Sequence, residues 1–428
     1  MSTLLAAVFS TSTLSAQELT KTFTWKYKIN VDAKVSVENY DCNLTIHTWD
    51  KGESEFRLIV DGEAKSAEDA TVLQNYVQGL VFSTSPSSAS YKTSFWESRT
   101  TIMNRTTMKL QGGKSVTLKS FSLKGELWIP AGCNLALDSK YSSLSLEDFS
   151  GPLKLDLYND NLSAGKVTSR VDLTDKYSTI TFHDINDLNA NLYNSKLTAG
   201  NSGDILFETK YSEVTLASCG NITVNSYNDK YAFRKTGDVV FTAKYSDLKS
   251  EISGNATIDL YNGTVKIGEA KDVKITSKYG EYQFAKAGSL TMPTLYNDKL
   301  TLGKITSIRI DESKYTSLNI ENLAVSAEDL NGYNDSFDIS DLGKDFKGLS
   351  LTGKYLQAYV ALPRNLNYRL KTDIKYADLK MNETELKPIS KIIEGDNTKI
   401  DAVRGTESDG MPVIEVKGYQ ITMKLTDK

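Results

Sequence analysis

The sequence is poor in the residues that staple or ligate. Its 428 residues include three cysteines (Cys42, Cys133, Cys219) and two histidines (His47, His183). Thiols so few and so scattered exclude a disulfide framework, and with no His spaced against a Cys the pattern of a zinc site is missing. The cysteines read as small core-filling side chains, and no cofactor or metal is expected. Proline is scarce, at seven, and the net charge is −4. That charge is too small to mark a nucleic-acid-binding surface or a disordered polyelectrolyte. No later stretch approaches the roughly 18 apolar residues of a membrane-spanning helix. Gly-x-Ser-x-Gly, a phosphate loop, His-Glu-x-x-His and the Rossmann fingerprint are also missing.

What the chain has instead is 23 tyrosines among many Thr, Ser and Asn, a composition that favours strands. The apolar run Leu4–Phe9, followed by small residues ending Leu14-Ser15-Ala16, has the form of a secretory signal cut after Ala16. Export to the periplasm, the outer cell surface or the medium is therefore expected. Residues 17–135 alternate in the β manner, as in Thr22-Phe23-Thr24-Trp25-Lys26-Tyr27, and are expected to form a β-rich head. A helix is expected from Ser66 to Leu80, with Ser66 and Asp69 as a capping box and Val72, Leu73, Tyr76 and Val77 on one face. The Ser-rich segment Ser83–Ser90, which holds Pro86, reads as a loop.

Residues 136–385 repeat, with two corner motifs in alternation. One is Lys-Tyr (Lys140-Tyr141, Lys176-Tyr177, Lys210-Tyr211 and onward), the other Tyr-Asn (Tyr158-Asn159, Tyr193-Asn194, Tyr227-Asn228 and onward). Aligned on the apolar residue after each motif (Leu144, Leu162, Ile180, Leu197, Val214 and so on), the spacing is 17–18 residues, widening to 21 in the last coils. So short a unit cannot bury its own apolar face and must stack on its neighbours. The expected fold is all-β: a right-handed, single-stranded parallel β-helix, or β-solenoid, of about 14 coils. Residues 386–428, with the strand Val413-Ile414-Glu415-Val416, are expected to cap its C-terminal end.

Strand alternation turns the residue before each motif inward. It is Leu in most Tyr-Asn coils (Leu157, Leu192, Leu260, Leu295) and small or polar in Lys-Tyr coils (Ser139, Asp175, Thr209, Ala243, Ser277, Ser313). The corner Tyr of the Lys-Tyr coils, such as Tyr177 and Tyr211, is then expected to fill the core beside the small residue, in volume compensation. The first motif residue faces out, giving a strip of Lys and Tyr in cation–π spacing: Tyr158, Lys176, Tyr193, Lys210, Tyr227, Lys244, Tyr261, Lys278 and Tyr296. Two readings of the strip stand side by side. It stabilises and solubilises one corner, or it is a linear platform on which sugar rings stack and anionic groups meet lysine.

Asp160, Asp229, Asp298 and Asp335 follow the Tyr-Asn motif, with Ser195 and Gly263 in the same slot elsewhere. Their even spacing fits turn hydrogen bonds better than catalysis, which needs one distinctive constellation, or calcium binding. The pattern Val-Asp-Leu-Thr-Asp-Lys-Tyr-Ser-Thr-Ile-Thr-Phe at 171–182, and the opening Val35-Ser36-Val37-Glu38-Asn39-Tyr40 with Leu44-Thr45-Ile46, resemble coils of the bacterial secreted putative-adhesin family. They are also similar to auto-transporter adhesin head domains. The resemblance implies a right-handed β-helix at the cell surface or in the periplasm, and no catalytic residues. A non-catalytic, adhesin-type binding scaffold is the leading expectation, its partner a cell-surface glycan or another envelope protein. A polysaccharide lyase or hydrolase on a β-helix and an envelope assembly protein are the alternatives.

Overall fold

A computed structural model describes residues 17–103 and 105–428; the expected signal segment 1–16 lies outside them. The described chain is nearly all β with a single α-helix, wound as a β-solenoid of about 13 turns. It divides into two compact units between Asp184 and Ile185, and each is described in turn.

In the first unit the coil expected by resemblance at Val35–Ile46 is present as the strands Lys34–Tyr40 and Asn43–Trp49. Val35, Val37, Leu44 and Ile46 are buried, as alternation requires. The chain then leaves the stack and returns at Asn134–Lys140, which lies parallel to Lys34–Tyr40 with Asn134 opposite Lys34. The excursion covers the open edges of that first coil. Ser88–Lys92 pairs with Lys34–Tyr40, and Ser115–Pro130 pairs with Asn43–Trp49. An uncovered first coil would expose a row of unpaired backbone groups. That demand overrides the loop-like composition of Ser83–Ser90, which forms the hairpin Ser83–Ser85/Ser88–Lys92 instead. The helix runs Ala67–Gln78, with the Ser66 hydroxyl accepting the Asp69 N–H at 3.1 Å. Ala70, Leu73 and Val77 are its buried face, while Val72 and Tyr76 are half-buried.

The second unit repeats one coil plan. Ile222–Tyr227 and Lys230–Lys235, for example, stack in parallel register on Val239–Lys244 and Asp247–Ile252. Ile222, Val224, Tyr231 and Phe233 point inward, each contributing about 1.5–3 kcal/mol by leaving water. At the C-terminal end the structure departs from expectation. Val413–Asp427 does not close the stack but lies inside it, between Gly348–Leu362 and Tyr368–Lys380 and parallel to both. The end is covered instead by the hairpin Leu386–Glu394/Asn397–Arg404, antiparallel to Tyr368–Lys380. Its outer strand carries Lys387, Pro388 and Lys391, residue types that discourage further strand pairing.

Every coil bends where its motif stands, and the corner residue has a positive φ: 60° at Tyr141, 54° at Asn159, 57° at Tyr245, 58° at Asn262. Its N–H still reaches the adjacent coil, as from Tyr141 to the Tyr158 carbonyl (3.0 Å) and from Asn228 to that of Lys244 (2.9 Å). The next residue turns its N–H inward, where only a side chain can accept it. The Ser142 N–H goes to Asp160 Oδ1 (2.7 Å), and the Asp160 N–H to Ser178 Oγ (2.9 Å). In the second unit Ser212 N–H goes to Asp229 (2.6 Å) and Asp229 N–H to Ser246 (3.0 Å). The result is a buried ladder of hydroxyls and carboxylates, in which Ser195 takes the place of Asp and bonds through its N–H to Ser212 (3.2 Å). Asp160, Asp229, Asp298 and Asp335 also accept from the backbone of their own turn, at Tyr158, Tyr227, Tyr296 and Tyr333. The turn-bonding role read from the sequence is present, joined to a bond between coils.

The three cysteines are free and buried. Burial pushes the Cys42 thiol up to about 12 and that of Cys133 to about 11, so both are inert packing groups.

Burial likewise raises the Asp160 carboxyl from 3.8 to about 6, against the lowering effect of its hydrogen bonds, and raises Asp298 and Asp335. A raised native pKa means the folded state binds the extra proton. Stability from this group is therefore gained as pH falls from about 6 toward 3.8, and lost as pH rises through that window. Calorimetric melting of wild type and Asp160→Asn across this range is expected to give curves that converge on acidification. Parallel curves would show that Asp160 is no more protonated in the folded state than in the unfolded one.

Candidate functional site

The strip read from the sequence is laid out as expected in register. Lys140, Tyr158 and Lys176 are successive partners in the first unit, and Tyr193, Lys210, Tyr227, Lys244, Tyr261 and Lys278 in the second. Tyr296 continues it toward Lys314 and Tyr333. The lysines are exposed, and the tyrosines are exposed or half-buried. What the strip does with its rings differs. Among the described residues, the lysine of the row that sits over a ladder ring is Lys375, 5.4 Å from the Tyr376 centroid. The tyrosines meet other tyrosines.

Those partners are the corner tyrosines, which were expected in the core. Tyr177 is 43% exposed and Tyr211 45%, so volume compensation is overturned. The physical reason is the left-handed corner, which breaks the alternation: two successive residues face outward, and the inward place passes to the Ser or Asp that follows. The small polar residue before Lys-Tyr has another task. Ser139, Thr209, Ser277 and Ser313 direct their hydroxyls to the buried Asp160, Asp229, Asp298 and Asp335 of the following coil, at 3.3, 2.7, 2.7 and 2.7 Å.

The outcome is one exposed or half-buried ring per coil, contributed alternately by the strand end and the corner. In the first unit Tyr40, Tyr141, Tyr158 and Tyr177 follow one another with centroids 5.5–5.6 Å apart. Trp96 stands over the start of this run, 6.3 Å from Tyr40, and Arg99 pairs with Asp41 at the same corner. In the second unit the run goes from Tyr193 through Tyr211, Tyr227, Tyr245, Tyr261, Tyr279, Tyr296, Tyr315, Tyr333 and Tyr355 to Tyr419 and Tyr376. Centroids there are 5.3–5.9 Å apart and ring planes 75–83° apart. This is the edge-to-face arrangement that ring quadrupoles favour. Burial, together with neighbouring phenols, raises the Tyr141 and Tyr245 hydroxyls, which stay protonated and able to donate.

Sequence reasoning missed Tyr40, Trp96, the corner tyrosines as surface groups, and Tyr419. For Tyr419 a signal existed: Tyr419-Gln420 is a variant of Tyr-Asn, and Gln420 has the corner φ of 52°.

Energetics decide little in favour of the ladder as a stabilising device. Holding a non-glycine residue left-handed costs about 1–2 kcal/mol. Two edge-to-face contacts per corner ring return about 1–3 kcal/mol, so the two effects nearly cancel. Tyr245→Asn, which places the residue best suited to the corner there, is therefore expected to change stability by less than about 1 kcal/mol. Leu260→Ala in the core next to it should cost about 2–5 kcal/mol. Paired urea titrations check this, and a Tyr245→Asn loss as large as that of the core truncation would make the ladder a structural brace.

No group of three or more His, Cys, Asp or Glu among the described residues is placed to hold a metal ion. No described helix is long and apolar enough to cross a membrane. No family model matches the chain, and no curated protein matches it. Among solved structures the chain is similar to a putative cell adhesion protein from Clostridium sporogenes, at 8% identity over 95% of this chain and 100% of that one, with a TM-score of 0.17. It is also similar to a putative lipid binding protein from Parabacteroides distasonis, at 11% identity over 63% of this chain and 94% of that one, with a TM-score of 0.25. Superposition this poor lends neither description any weight here.

Proposed function

We propose that the chain is a non-catalytic binding scaffold of adhesin type, exported to the cell surface or envelope, whose tyrosine ladder takes an extended glycan. The observation that carries this reading is the repeated placement of half-exposed tyrosines on a left-handed backbone. A residue kept at an unfavourable backbone position, for little net stability and with its ring in solvent, is a residue kept for what the ring touches. Tyrosine offers an apolar face and a polar tip, the pair of features that sugar rings meet. The flanking lysines add the means to hold acidic sugars, and their contribution would weaken with salt.

A scaffold without catalysis is supported by the disposition of the acids. The evenly spaced carboxylates that a β-helix hydrolase or lyase would need are buried beneath the strip and bound to backbone N–H groups, not presented to solvent. Hydrolysis of a glycoside needs two carboxyl groups facing one sugar bond from the solvent side.

The test is a glycan array read with wild type and with Tyr211→Ala/Tyr227→Ala/Tyr245→Ala, three successive rungs. Far-ultraviolet circular dichroism would confirm that the variant is folded. Losing three successive rings, and with them the apolar faces on which sugar rings would lie, should abolish detectable binding. Binding of the folded variant at wild-type strength would remove the ladder from ligand recognition.

A further inference from the structure

The strand Val413–Asp427 occupies a slot one strand wide. Gly348–Leu362 and Tyr368–Lys380 are successive coil segments, yet they bond to the inserted strand rather than to each other. That slot has a sequence requirement. Both of its walls are of the Lys-Tyr type, with Lys354 and Lys375 in register on either side of Tyr419. The Lys-Tyr segment of Lys244, by contrast, lies between two Tyr-Asn segments, those of Tyr227 and Tyr261. Tyr419-Gln420 supplies the missing alternate, with rings 5.7 Å from Tyr355 and 5.3 Å from Tyr376. Inside, Ile414, Val416, Ile421 and Met423 are buried.

Only a loop, residues 405–412, exposed over 406–410, joins this strand to the preceding hairpin, and Gly405 and Gly410 give it positive φ values of 83° and 77°. The contacts that hold the strand in the slot are made with its two walls, so a strand from another copy would make the same ones. We infer that Val413–Asp427 is exchangeable between copies of this chain, so that one copy completes the ladder of another. The partner surface is the open slot, and the partner is a second copy presenting the Gly-Tyr-Gln strand. Exchange of an identical element is a low-cost route to dimers, because native contacts are conserved and only the hinge changes. The ladder is incomplete without this strand, since Tyr355 and Tyr376 touch it through Tyr419. The inference is independent of which ligand the ladder takes.

The experiment uses two full-length single variants, Thr352→Cys and Lys417→Cys, exposed residues that are register partners on one wall and on the inserted strand. The variants are unfolded, mixed at high concentration, refolded together and oxidised. A covalent heterodimer on a non-reducing gel, stronger than in either variant refolded alone, is expected. A single chain carrying both substitutions must close its own disulfide, which confirms that the geometry permits the bond. Closure in that control without a heterodimer in the mixture would overturn the inference. So would failure of a biotinylated peptide of residues 411–428 to be taken up during refolding of wild type, if the mixture also stays monomeric.

Discussion

At one corner of each coil the backbone passes through the left-handed region, with φ between 47° and 67° at Asp41, at the corner tyrosines and asparagines, and at Gln420. The corner keeps the parallel hydrogen bonds running round the bend, but it turns the following N–H into the core. A buried donor without a partner costs about 1–3 kcal/mol, and here it would recur from coil to coil. The solution over much of the stack is a column of side-chain acceptors, Ser or Thr and Asp, interrupted at Gly263 and Gly280. Serine can serve because its hydroxyl donates to its own strand, as Ser212 does to the Lys210 carbonyl at 2.9 Å, leaving its lone pairs for the neighbour. Aspartate can serve because a hydroxyl of the preceding coil donates to it. No Asp of the column has a second Asp as its neighbour, as a carboxylate stacked on a carboxylate would be repelled.

The same corner decides the outside. Two successive outward residues per coil give room for one ring and one amine or amide, and the rings interlock only if the coils take turns in supplying them. Lysine beside tyrosine then follows as spacing rather than as cation–π bonding: Lys314, for instance, is held by Glu312 at 3.0 Å. The polar column within and the aromatic row without are thus two faces of one backbone constraint. This is why the surface strip has the period of the core.

The solenoid, its period and the outward Lys/Tyr row were legible in the sequence because apolar spacing survives any local bend. The fate of the corner tyrosines was not, since alternation carried through Tyr177 or Tyr211 gives the wrong side once the backbone turns left-handed. One clue to the true arrangement stood in the sequence all the same. A hydroxyl precedes Lys-Tyr where an Asp follows one coil later (Ser139 and Asp160, Thr209 and Asp229, Ser277 and Asp298, Ser313 and Asp335). Where the later residue is Gly263, which has no carboxylate, the earlier one is Ala243. Glycine is needed at that point because a Cβ on Gly263 would stand 2.1 Å from the Ser246 carbonyl. The covariation reports a buried hydrogen bond, not a volume. The hairpin Ser83–Ser85/Ser88–Lys92 was hidden for a different reason: its strands form to cover an edge, a tertiary demand that no local composition records.

The inserted strand shows how far the alternation reaches. Along the chain, Lys354-Tyr355 is followed by Lys375-Tyr376, two segments of one type in succession. Stacked directly, they would bring Lys354 against Lys375 about one strand spacing apart, roughly 4.8 Å, and set both rings at corners instead of at alternating places. Two like charges at that distance repel, and the edge-to-face series would be broken. The structure places Gly418-Tyr419-Gln420 between them, so complementarity between neighbouring segments prevails over order along the chain. The sequence therefore carried a defect in its own repeat that could be filled only from elsewhere. The strand that fills it is the one that matches the motif, not the one that comes next.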